Sequence, residues 1–317
     1  MTFWENRPVF ITGATGLVGS WLTTKLYQEK ADIVILMRDW NPHSLLVRNG
    51  VYDKVRHVHG DIEDSELMDR TISDYEIDTV FHLAAQAIVP IANRHPKNTI
   101  ISNVVGIVNV LEAVKKSKLV KSIVVASSDK AYGENVILPY TETTPLNGLD
   151  PYACSKSSED LISQTYNKTY DLPVAIARCG NIFGGGDFNW NRLVPGTIRS
   201  VLLGKNPVIR SNGLMVRDYF YVEDAVNAYI CLAESRVTGA YNFGNEEPRT
   251  VIGMTNEILR LMKSKLEPAI MNIANNEIME QSLCTKKARE ELNWNPVFAL
   301  EEGLKKTIDW YKEYFNE

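Results

Sequence analysis

The first 180 residues alternate short apolar runs with amphipathic segments of helical period. The apolar runs cover residues 8–14, 32–37, 55–61, 79–85, 122–128 and 174–179. The amphipathic segments lie near residues 17–30, 64–75, 98–117 and 151–169. Runs that are apolar almost throughout are typical of strands covered on both faces, and strict alternation with helices favours a parallel sheet. We therefore predict an α/β fold with a doubly wound parallel sheet.

This alternation ends after residue 180, where the Gly- and Asn-rich stretch GNIFGGGDFNWNRLVPG begins. Shorter helices and single strands follow, and LEEGLKKTIDWYKEYF has the pattern of a final amphipathic helix. We predict a sheet domain over residues 1–180 with a return segment near 218–245, and a smaller α+β lobe over 181–317. Ligands of open α/β sheets bind outside the carboxyl ends of the strands, so we expect the lobe to close over that edge.

Composition narrows the classes of protein that fit this pattern. The 317 residues are 44% hydrophobic and 23% charged, which allows a large buried core. The net charge is -5 with both signs interspersed, so we expect no nucleic-acid partner. No stretch approaches the ~20 apolar residues of a membrane span and no signal-peptide pattern is present, so we expect a cytoplasmic protein without membrane attachment. The four cysteines and five histidines lack metal-binding spacings, and no metal site is predicted.

The segment ITGATGLVGSWL places Gly13, Gly16 and Gly19 directly after the first predicted strand and at the start of a helix. Glycine lets the backbone approach a pyrophosphate, whose charge is favoured by the free N–H groups of a helix start. This context predicts a Rossmann domain that binds NADP or NAD. The other predicted cofactor-binding residues are Thr15, Leu17, Val18, Arg38, Asp61, Ile62, Leu83, Ala84, Ala85 and Asn103.

Two of these positions allow alternatives. Asp61 could accept a hydrogen bond from the adenine amino group, or it could be the N-cap of the helix that DIEDSEL begins. At the end of the second strand, an acid that binds the ribose diol favours NAD, whereas Arg favours the 2'-phosphate of NADP. The usual acid position is Met37, followed by Arg38 and Asp39. Arg38 tilts the prediction towards NADP, although Asp39 could still reach the ribose.

The stretch GLDPYACSK predicts a helix with Asp150 as N-cap and Pro151 in its first turn. Tyr152 and Lys156 then lie at i and i+4 on one face. An ammonium and an oxidised nicotinamide ring lower the pKa of a neighbouring phenol towards the range of proton transfer. Ser128, at the end of its strand, can hydrogen-bond the same substrate oxygen. Together these groups can take a proton from a secondary alcohol while its hydride leaves to the nicotinamide.

Several motifs follow one another across essentially the whole chain: TGATGLVGSWL, HLAAQ, SSDKAYG, DPYACSK, ARCGNIFGGGD, VRDYFYVEDAV, YNFG and LNWNPVFALEEGLKKTIDWY. Their order resembles that of the extended short-chain dehydrogenase/reductases that act on nucleotide-activated sugars. The resemblance implies a nucleotide-sugar-binding lobe at the C-terminus and a tightly bound cofactor that is regenerated in each turnover. It also implies a homodimer formed by the helices near 98–117 and 151–169. The residues that could belong to its interface or to the core are Ile100, Val104, Val108 and Leu111.

Asp129 and Lys130 follow Ser128, where epimerases and decarboxylases of this family generally have small, uncharged residues. The pair resembles that of the CDP-glucose 4,6-dehydratases, as do Trp21 in GSWL and Gln86 in HLAAQ. Oxidation of C4 of a hexose acidifies the C5 proton, so a base near C5 and an acid near the C6 hydroxyl would expel water. Asp129, if protonated, could donate to the C6 oxygen. Lys130 could be the C5 base or could hold the enolate as a cation.

Three other interpretations remain open. Asp129 and Lys130 could form a local salt bridge. An NDP-sugar 4-epimerase would share Ser128, Tyr152 and Lys156 without needing that pair. A non-catalytic dinucleotide sensor is a third hypothesis, and the intact Tyr152 and Lys156 count against it.

The resemblance further implies a nucleotide-diphosphate sugar as substrate, with contacts from Gln86, Asn181, Arg192 and Arg217. A diphosphate suits the planar donor fork of Arg, and the alternative is ordinary surface charge on the lobe. The motif RDYFY at Arg217 departs from the CDP-glucose enzymes and is closer to epimerases and decarboxylases. The identity of the base therefore stays open among CDP-, GDP-, dTDP- and UDP-sugars, with CDP-glucose as the best guess from the Asp129–Lys130 pair. Arg38 itself resembles the NADP-using GDP-mannose dehydratases.

Overall fold

The computed structural model of the protein describes residues 2–135, 137–273 and 278–316. In chain order, the strands are β1 (Pro8–Thr12), β2 (Asp32–Met37), β3 (Arg56–His59), β4 (Thr79–His82), β5 (Ser122–Ser128), β6 (Val174–Cys179), β7 (Asn181–Phe183), β8 (Val208–Ile209), β9 (Val216–Arg217), β10 (Tyr219–Tyr221), β11 (Gly239–Phe243), β12 (Arg249–Thr250) and β13 (Ala269–Ile270). The α-helices are α1 (Leu17–Gln28), α2 (Leu45–Arg48), α3 (Ser65–Asp74), α4 (Val89–Arg94), α5 (Pro96–Ile100), α6 (Gly106–Lys116), α7 (Pro151–Tyr170), α8 (Leu193–Leu202), α9 (Val222–Ser235), α10 (Val251–Leu261), α11 (Lys286–Leu292) and α12 (Leu300–Asn316).

A parallel sheet forms the centre of the described structure, with the strand order β11, β6, β5, β4, β1, β2, β3. Because β1 lies between β2 and β4, the chain adds strands first on one side and then on the other, as in a doubly wound sheet. The predicted α/β class and parallel Rossmann sheet are confirmed. Several strands end earlier than predicted, since the residues after them already belong to loops.

Successive residues of the strands pack into different cores on the two faces of the sheet. Val9 and Ile11 of β1 belong to one hydrophobic cluster, together with Leu22 of α1. Phe10 between them belongs to a second cluster, together with Ile107 of α6. Since both faces are covered at the centre of the sheet, inner strands such as β1 and β2 are largely apolar. The edge strand β3, with Arg56, His57 and His59, is polar and partly exposed, so the run predicted over 55–61 is not a doubly covered strand.

The helix predicted near 98–117 is divided in the structure. α5 ends at Ile100, a π-helical segment spans Ile101–Val105, and α6 begins at Gly106. Such segments are rare and frequently occur at functional sites. Leu111 lies in the core, whereas Ile100 is exposed. The short helices α2 and α4 were not predicted, because so few residues carry no detectable apolar period.

Helix α7 begins as predicted. The Asp150 carboxylate accepts hydrogen bonds from the backbone N–H groups of Tyr152 and Ala153, each at 3.0 Å, and Pro151 opens the first turn. The cap fixes where the helix starts, which puts Tyr152 in the first turn and Lys156 one turn later on the same face.

The chain after β6 forms a smaller lobe, apart from α9, β11 and α11, which pack with the main sheet. Its strands pair two by two, as β7 with β10, β9 with β12 and β8 with β13. The lobe has its own hydrophobic core, which includes Phe183, Ile198, Met254, Ile258 and Leu304. β11 pairs with β6 and completes the main sheet, within the return segment predicted near 218–245.

Two features of the described residues bear on partners. No helix among them is both long and apolar enough to cross a bilayer. No group of three or more metal-ligating side chains comes together in these ranges.

Candidate active site

The glycine loop between β1 and α1 packs so closely that larger side chains do not fit. Gly13 has a φ of +73°, and a Cβ there would lie 2.7 Å from the backbone nitrogen of Ala84. A Cβ at Gly19 would lie 2.1 Å from the carbonyl oxygen of Gly13. Gly16 caps α1 without a side chain, which leaves the first N–H groups of the helix available to an anion. The loop therefore fits the pyrophosphate of a dinucleotide.

The end of β4 lies directly beside this loop. The Thr12 hydroxyl accepts hydrogen bonds from the backbone N–H groups of Leu83 and Ala84, both at 3.2 Å. These contacts hold the HLAA segment against the glycine loop, as expected for residues that border a cofactor. The neighbouring Ala85 is half-buried.

The other predicted cofactor residues near the loop differ in burial. Thr15 is half-buried in the loop. Leu17 packs partly against the core of the lobe and Val18 partly against that of the sheet. Ile62 is buried in the second sheet core and lies where a Cβ on Gly106 would meet it at 2.9 Å.

A cleft of about 480 Å³ opens at the carboxyl edge beside β2, β3 and β4, and its lining includes Arg38, Asp61, Glu63, Ala85 and Gln86. Arg38 donates to Asp39 through Nε at 2.7 Å, and both side chains are exposed. The Asp61 carboxylate accepts from the Glu63 N–H at 3.1 Å.

The N-cap of α3 is Asp64, which accepts from the Leu67 N–H at 2.9 Å. The alternative interpretation of Asp61 as the N-cap of this helix is therefore wrong, because the cap lies about one turn later in the chain. Asp61 caps a tight turn before the helix and still lines the cleft.

Asn103 lies on the π-helical segment and is fully buried. Its carbonyl oxygen accepts from the Gln86 N–H at 2.7 Å, and its amide donates to the Ser155 hydroxyl at 2.8 Å and to the Gln86 carbonyl at 3.3 Å. Asn103 therefore ties the loop after β4 to α7. Because its side-chain hydrogen bonds go to other protein groups, Asn103 stabilises the edge of the sheet at which the cofactor is expected.

Ser128 and Asp129 lie at the end of β5 and the start of the 3-10 turn Asp129–Tyr132. The Ser128 hydroxyl donates to Asp129 Oδ1 at 3.0 Å and accepts from the Lys130 N–H at 3.2 Å. Asp129 is 1% exposed, and its Oδ2 has no hydrogen-bond partner among the described residues. A buried carboxyl oxygen without a partner is costly unless it carries a proton or meets a ligand.

Lys130 is held from the opposite side by the lobe. Its Nζ donates to Gln281 Oε1 at 3.0 Å, and the Gln281 amide donates to the Asp129 carbonyl at 3.4 Å. Gln281 is fully buried. Gln281 thus connects the turn of Asp129 and Lys130 to the lobe.

Tyr152 lies near Ser128 and close to the charges of Lys156 and Arg192. Burial raises the pKa of the Tyr152 phenol, and the two cations lower it without cancelling that effect. Lys156 thus acts in the predicted direction, but the net shift in this structure is upward.

Lys156 is 3% exposed and has two short contacts. Its Nζ donates to the Ala126 carbonyl at 2.7 Å and to Glu159 Oε2 at 2.6 Å. Burial lowers the pKa of Lys156, but Glu159 and Tyr152 outweigh it, so that the pKa is raised. Lys156 therefore remains charged beside Tyr152.

Of the predicted substrate residues, Gln86 lines the cleft of the sheet domain, whereas the other three lie on the lobe side. Asn181 begins β7, and Arg192 Nη1 contacts Asp187 Oδ2 at 3.0 Å just before α8. Arg217 is only 6% exposed and donates through Nη1 to the Val216 carbonyl at 2.7 Å. The alternative of surface charge is therefore wrong for Arg217.

Sequence reasoning assigned no role to Gln281, Glu159 or His82. His82 is part of the quoted motif HLAAQ, and Glu159 follows Lys156 by one helical turn, so both had a local signal. Gln281 had none, because it lies 151 residues from the lysine that it contacts.

Comparison with known proteins agrees with this geometry. The family model described as GDP-mannose 4,6 dehydratase matches residues 10–307. CDP-glucose 4,6-dehydratase of Salmonella typhimurium is 30% identical over 333 residues, which cover 98% of this chain and 92% of that protein. Among solved structures, UDP-glucose 4-epimerase from Thermotoga maritima with UDP-glucose has a TM-score of 0.90 at 28% identity, covering 97% of this chain and 99% of its own. dTDP-glucose 4,6-dehydratase from Bacillus anthracis in complex with NAD has a TM-score of 0.86 at 27% identity, covering 97% of each chain. The chain therefore belongs to the GDP-mannose 4,6 dehydratase family, within the extended short-chain dehydrogenase/reductases that use a nicotinamide cofactor and nucleotide sugars.

Proposed function

We propose that the protein is a nucleotide-sugar 4,6-dehydratase, which converts an NDP-hexose, with CDP-glucose as the best guess, to the NDP-4-keto-6-deoxyhexose. The observation that carries this proposal is the buried Asp129, whose Oδ2 has no partner among the described residues, directly beside Ser128. An epimerase needs no second acid at this position.

Oxidation at C4 is assigned to Ser128, Tyr152 and Lys156. A bound nicotinamide would accept the C4 hydride and later return it to C6. Tyr152 takes the proton of the C4 hydroxyl, and Ser128 hydrogen-bonds the same oxygen. Lys156, charged and buried beside the phenol, stabilises the phenolate that Tyr152 must form. This step is common to dehydratases and epimerases.

Loss of water is assigned to Asp129 and Lys130. The 4-keto group acidifies the C5 proton, and Asp129 protonates the C6 oxygen as it leaves as water. Lys130 either removes the C5 proton or stabilises the enolate by its charge. Lys130 donates a hydrogen bond to the uncharged side-chain amide of Gln281. This contact is compatible with both roles of Lys130.

The cofactor and substrate contacts follow the same proposal. Arg38 lines the cleft and favours NADP, whereas its partner Asp39 favours NAD. NADP remains the slightly preferred cofactor in this proposal. Gln86, Asn181, Arg192 and Arg217 would contact the nucleotide sugar.

The proposal also includes a cytoplasmic homodimer. The dimer is supported by exposed apolar side chains on the two helical stretches expected at the interface. These side chains are Ile100, Val105 and Leu161.

The alternative is an NDP-sugar 4-epimerase, and it is favoured by the likeness to the Thermotoga maritima UDP-glucose 4-epimerase. The two activities differ at C5 and C6. A dehydratase exchanges the C5 proton with solvent and leaves a methyl group at C6, whereas a 4-epimerase changes neither carbon.

The test is proton NMR of the products from CDP-, GDP-, dTDP- and UDP-hexoses, run in parallel in H₂O and D₂O. A dehydratase gives a new C6 methyl signal and incorporates deuterium at C5. A product that keeps its C6 hydroxymethyl group and its C5 proton would overturn the proposal. Mass spectrometry of the cofactor released on denaturation distinguishes NADP from NAD.

A further inference from the structure

A buried pair of side chains lies behind Lys156, and neither member takes part in the chemistry proposed above. Glu159 and His82 are both fully buried, and Glu159 Oε1 lies 3.6 Å from His82 Nε2. Neither atom has a hydrogen-bond partner among the described residues. The other oxygen of Glu159 accepts from Lys156 Nζ at 2.6 Å. His82 on β4, Glu159 on α7 and Lys156 therefore form a row of neighbouring side chains that ends at the lysine.

The tautomer of His82 follows from counting donors. The Thr12 hydroxyl already accepts two backbone N–H groups, those of Leu83 and Ala84. Its own proton is therefore left for His82 Nδ1, which lies 3.0 Å away. His82 then carries its proton on Nε2, facing Glu159. Burial, helped by the charge of Lys156, lowers the pKa of His82 to about 3, so the ring is neutral at physiological pH.

Lys156 has three N–H donors, and two of them are assigned by this arrangement. One goes to the Ala126 carbonyl on β5 and one to Glu159 on its own helix. Two anchors on different elements fix the direction of the ammonium group. One donor remains for the side of the site where Tyr152 lies.

We propose that Glu159, buried beside neutral His82, is a positioning residue that keeps Lys156 charged and oriented beside Tyr152. This inference rests on the oxidation step of the proposed function and is independent of the loss of water. Glu159 touches neither Tyr152 nor the expected position of the sugar, and it acts through Lys156.

The pH dependence of Glu159 is set by the groups around it. They are Lys156, Tyr152 and Asp160 on α7, His82 on β4 and Tyr229 on α9. Burial raises the pKa of Glu159 to about 7, with Lys156 opposing. Below that pH the carboxylate takes up a proton, and Lys156 loses the negative partner that holds it.

The experiment compares wild type with Glu159→Gln, using any nucleotide hexose that the wild type oxidises. The rate of C4 oxidation is followed between pH 6 and about 8.5 by single-turnover absorbance of the reduced nicotinamide. We expect Glu159→Gln to be slower by about 10- to 100-fold near pH 8, since positioning of a reacting group contributes at this scale. The difference should shrink towards pH 6, where wild-type Glu159 is itself protonated. Glu159→Asp should recover part of the rate and keep the pH dependence.

The control is Glu290→Gln, which breaks the exposed Lys286–Glu290 ion pair on α11 and should leave the rate unchanged. A rate ratio between wild type and Glu159→Gln that is constant with pH, or near one at pH 8, would overturn the proposal. If neither Glu159 variant folds, ¹⁵N NMR of histidine-labelled wild type decides. A neutral, Nε2-protonated His82 at pH 5 supports the geometry, and a charged or Nδ1-protonated ring contradicts it.

The result is separable from the fate of the dehydratase proposal. If the wild type yields no C6 methyl group but interconverts C4 epimers, the dehydratase assignment fails. The effect of Glu159→Gln on oxidation is then measured in the epimerisation itself, because both activities begin with the same step.

Discussion

The two lysines of the site, Lys156 and Lys130, are held in different ways. Lys156 is anchored inside the sheet domain, by Ala126 at the end of β5 and by Glu159 on its own helix. Lys130 is contacted by Gln281, which comes from the lobe 151 residues later. The groups assigned to oxidation are thus assembled by one domain, whereas those assigned to loss of water also depend on how the lobe packs.

This difference accounts for how one fold can host two outcomes. The oxidation groups are positioned by a helix cap, a strand end and a buried ion pair, all within the sheet domain. Gln281, which contacts Lys130, belongs to the lobe, so we expect changes in the lobe to alter the second step and leave the first intact. The following variants test this division, from the largest expected effect to the smallest.

Tyr152→Phe should abolish oxidation, because it removes the hydroxyl that takes the C4 proton. We expect kcat to fall by about 10³-fold, within the usual range for a general acid or base. The measurement is single-turnover reduction of the bound nicotinamide. Tyr170→Phe, which changes an exposed tyrosine of the same helix, is the control and should leave the rate unaltered. Appreciable oxidation by Tyr152→Phe would remove Tyr152 from the proposed role.

Asp129→Asn should separate the two steps. The amide keeps the size of the side chain but cannot protonate the C6 oxygen, so we expect formation of the C6 methyl product to fall by about 10²-fold or more. Oxidation should continue, and reduced nicotinamide should accumulate. Asp309→Asn, at an exposed position on α12, serves as control. Unchanged methyl formation in Asp129→Asn would favour the epimerase alternative or another acid.

Gln281→Ala tests the contribution of the lobe. It removes one hydrogen-bond partner of Lys130, and the loss of a hydrogen bond to a charged group, about 1.5 kcal/mol, corresponds to roughly tenfold slower loss of water. Oxidation should change little. A fall in oxidation as large as that in methyl formation would contradict the division between the domains.

Gln281→Glu adds a sharper result at the same position. A carboxylate beside Lys130 holds the ammonium in its charged form, which opposes a role as C5 base. Product formation well below that of Gln281→Ala would support Lys130 as the C5 base. Product formation above that of Gln281→Ala would support a purely electrostatic role for Lys130. Both are read from the rate of C5 deuterium incorporation in D₂O.

Arg38→Ala should have the smallest effect, since Arg38 is exposed and already paired with Asp39. If the enzyme uses NADP, we expect binding of NADP to weaken by about tenfold, from the loss of a charge-assisted hydrogen bond, with NAD binding unchanged. Isothermal titration calorimetry of the apoenzyme with each cofactor measures this. Equal affinities of the variant and wild type for NADP would remove Arg38 from cofactor selection.

Much of the fold could be predicted because the relevant patterns are local. Strands such as β1 are apolar throughout since Val9 and Phe10 face different cores, and this appears directly as an apolar run. The start of α7 was predictable from Asp150 and Pro151. The π-helical segment Ile101–Val105 was not, because it keeps the apolar pattern of an ordinary helix, and the hydrogen bonds of its buried Asn103 go to residues distant along the chain.

The site was predictable to the same extent. Ser128, Tyr152 and Lys156 belong to motifs whose spacing already implies their proximity. The partnerless oxygen of Asp129 and the contact of Lys130 with Gln281 depend on burial and on the packing of the lobe. Neither leaves a periodic or spaced signal.

The amino-acid sequence by itself determined the parallel sheet, the glycine loop and the placement of Tyr152 and Lys156 on one helical face. The glycine loop and the helical face follow from residues that are close along the chain, and the sheet follows from the repeated alternation of strand and helix patterns. Only the tertiary structure decided that Glu159 and His82 stand behind Lys156 and that Gln281 reaches Lys130. These groups meet because distant segments pack against one another, and the energy of a buried polar contact depends on the surroundings that packing creates.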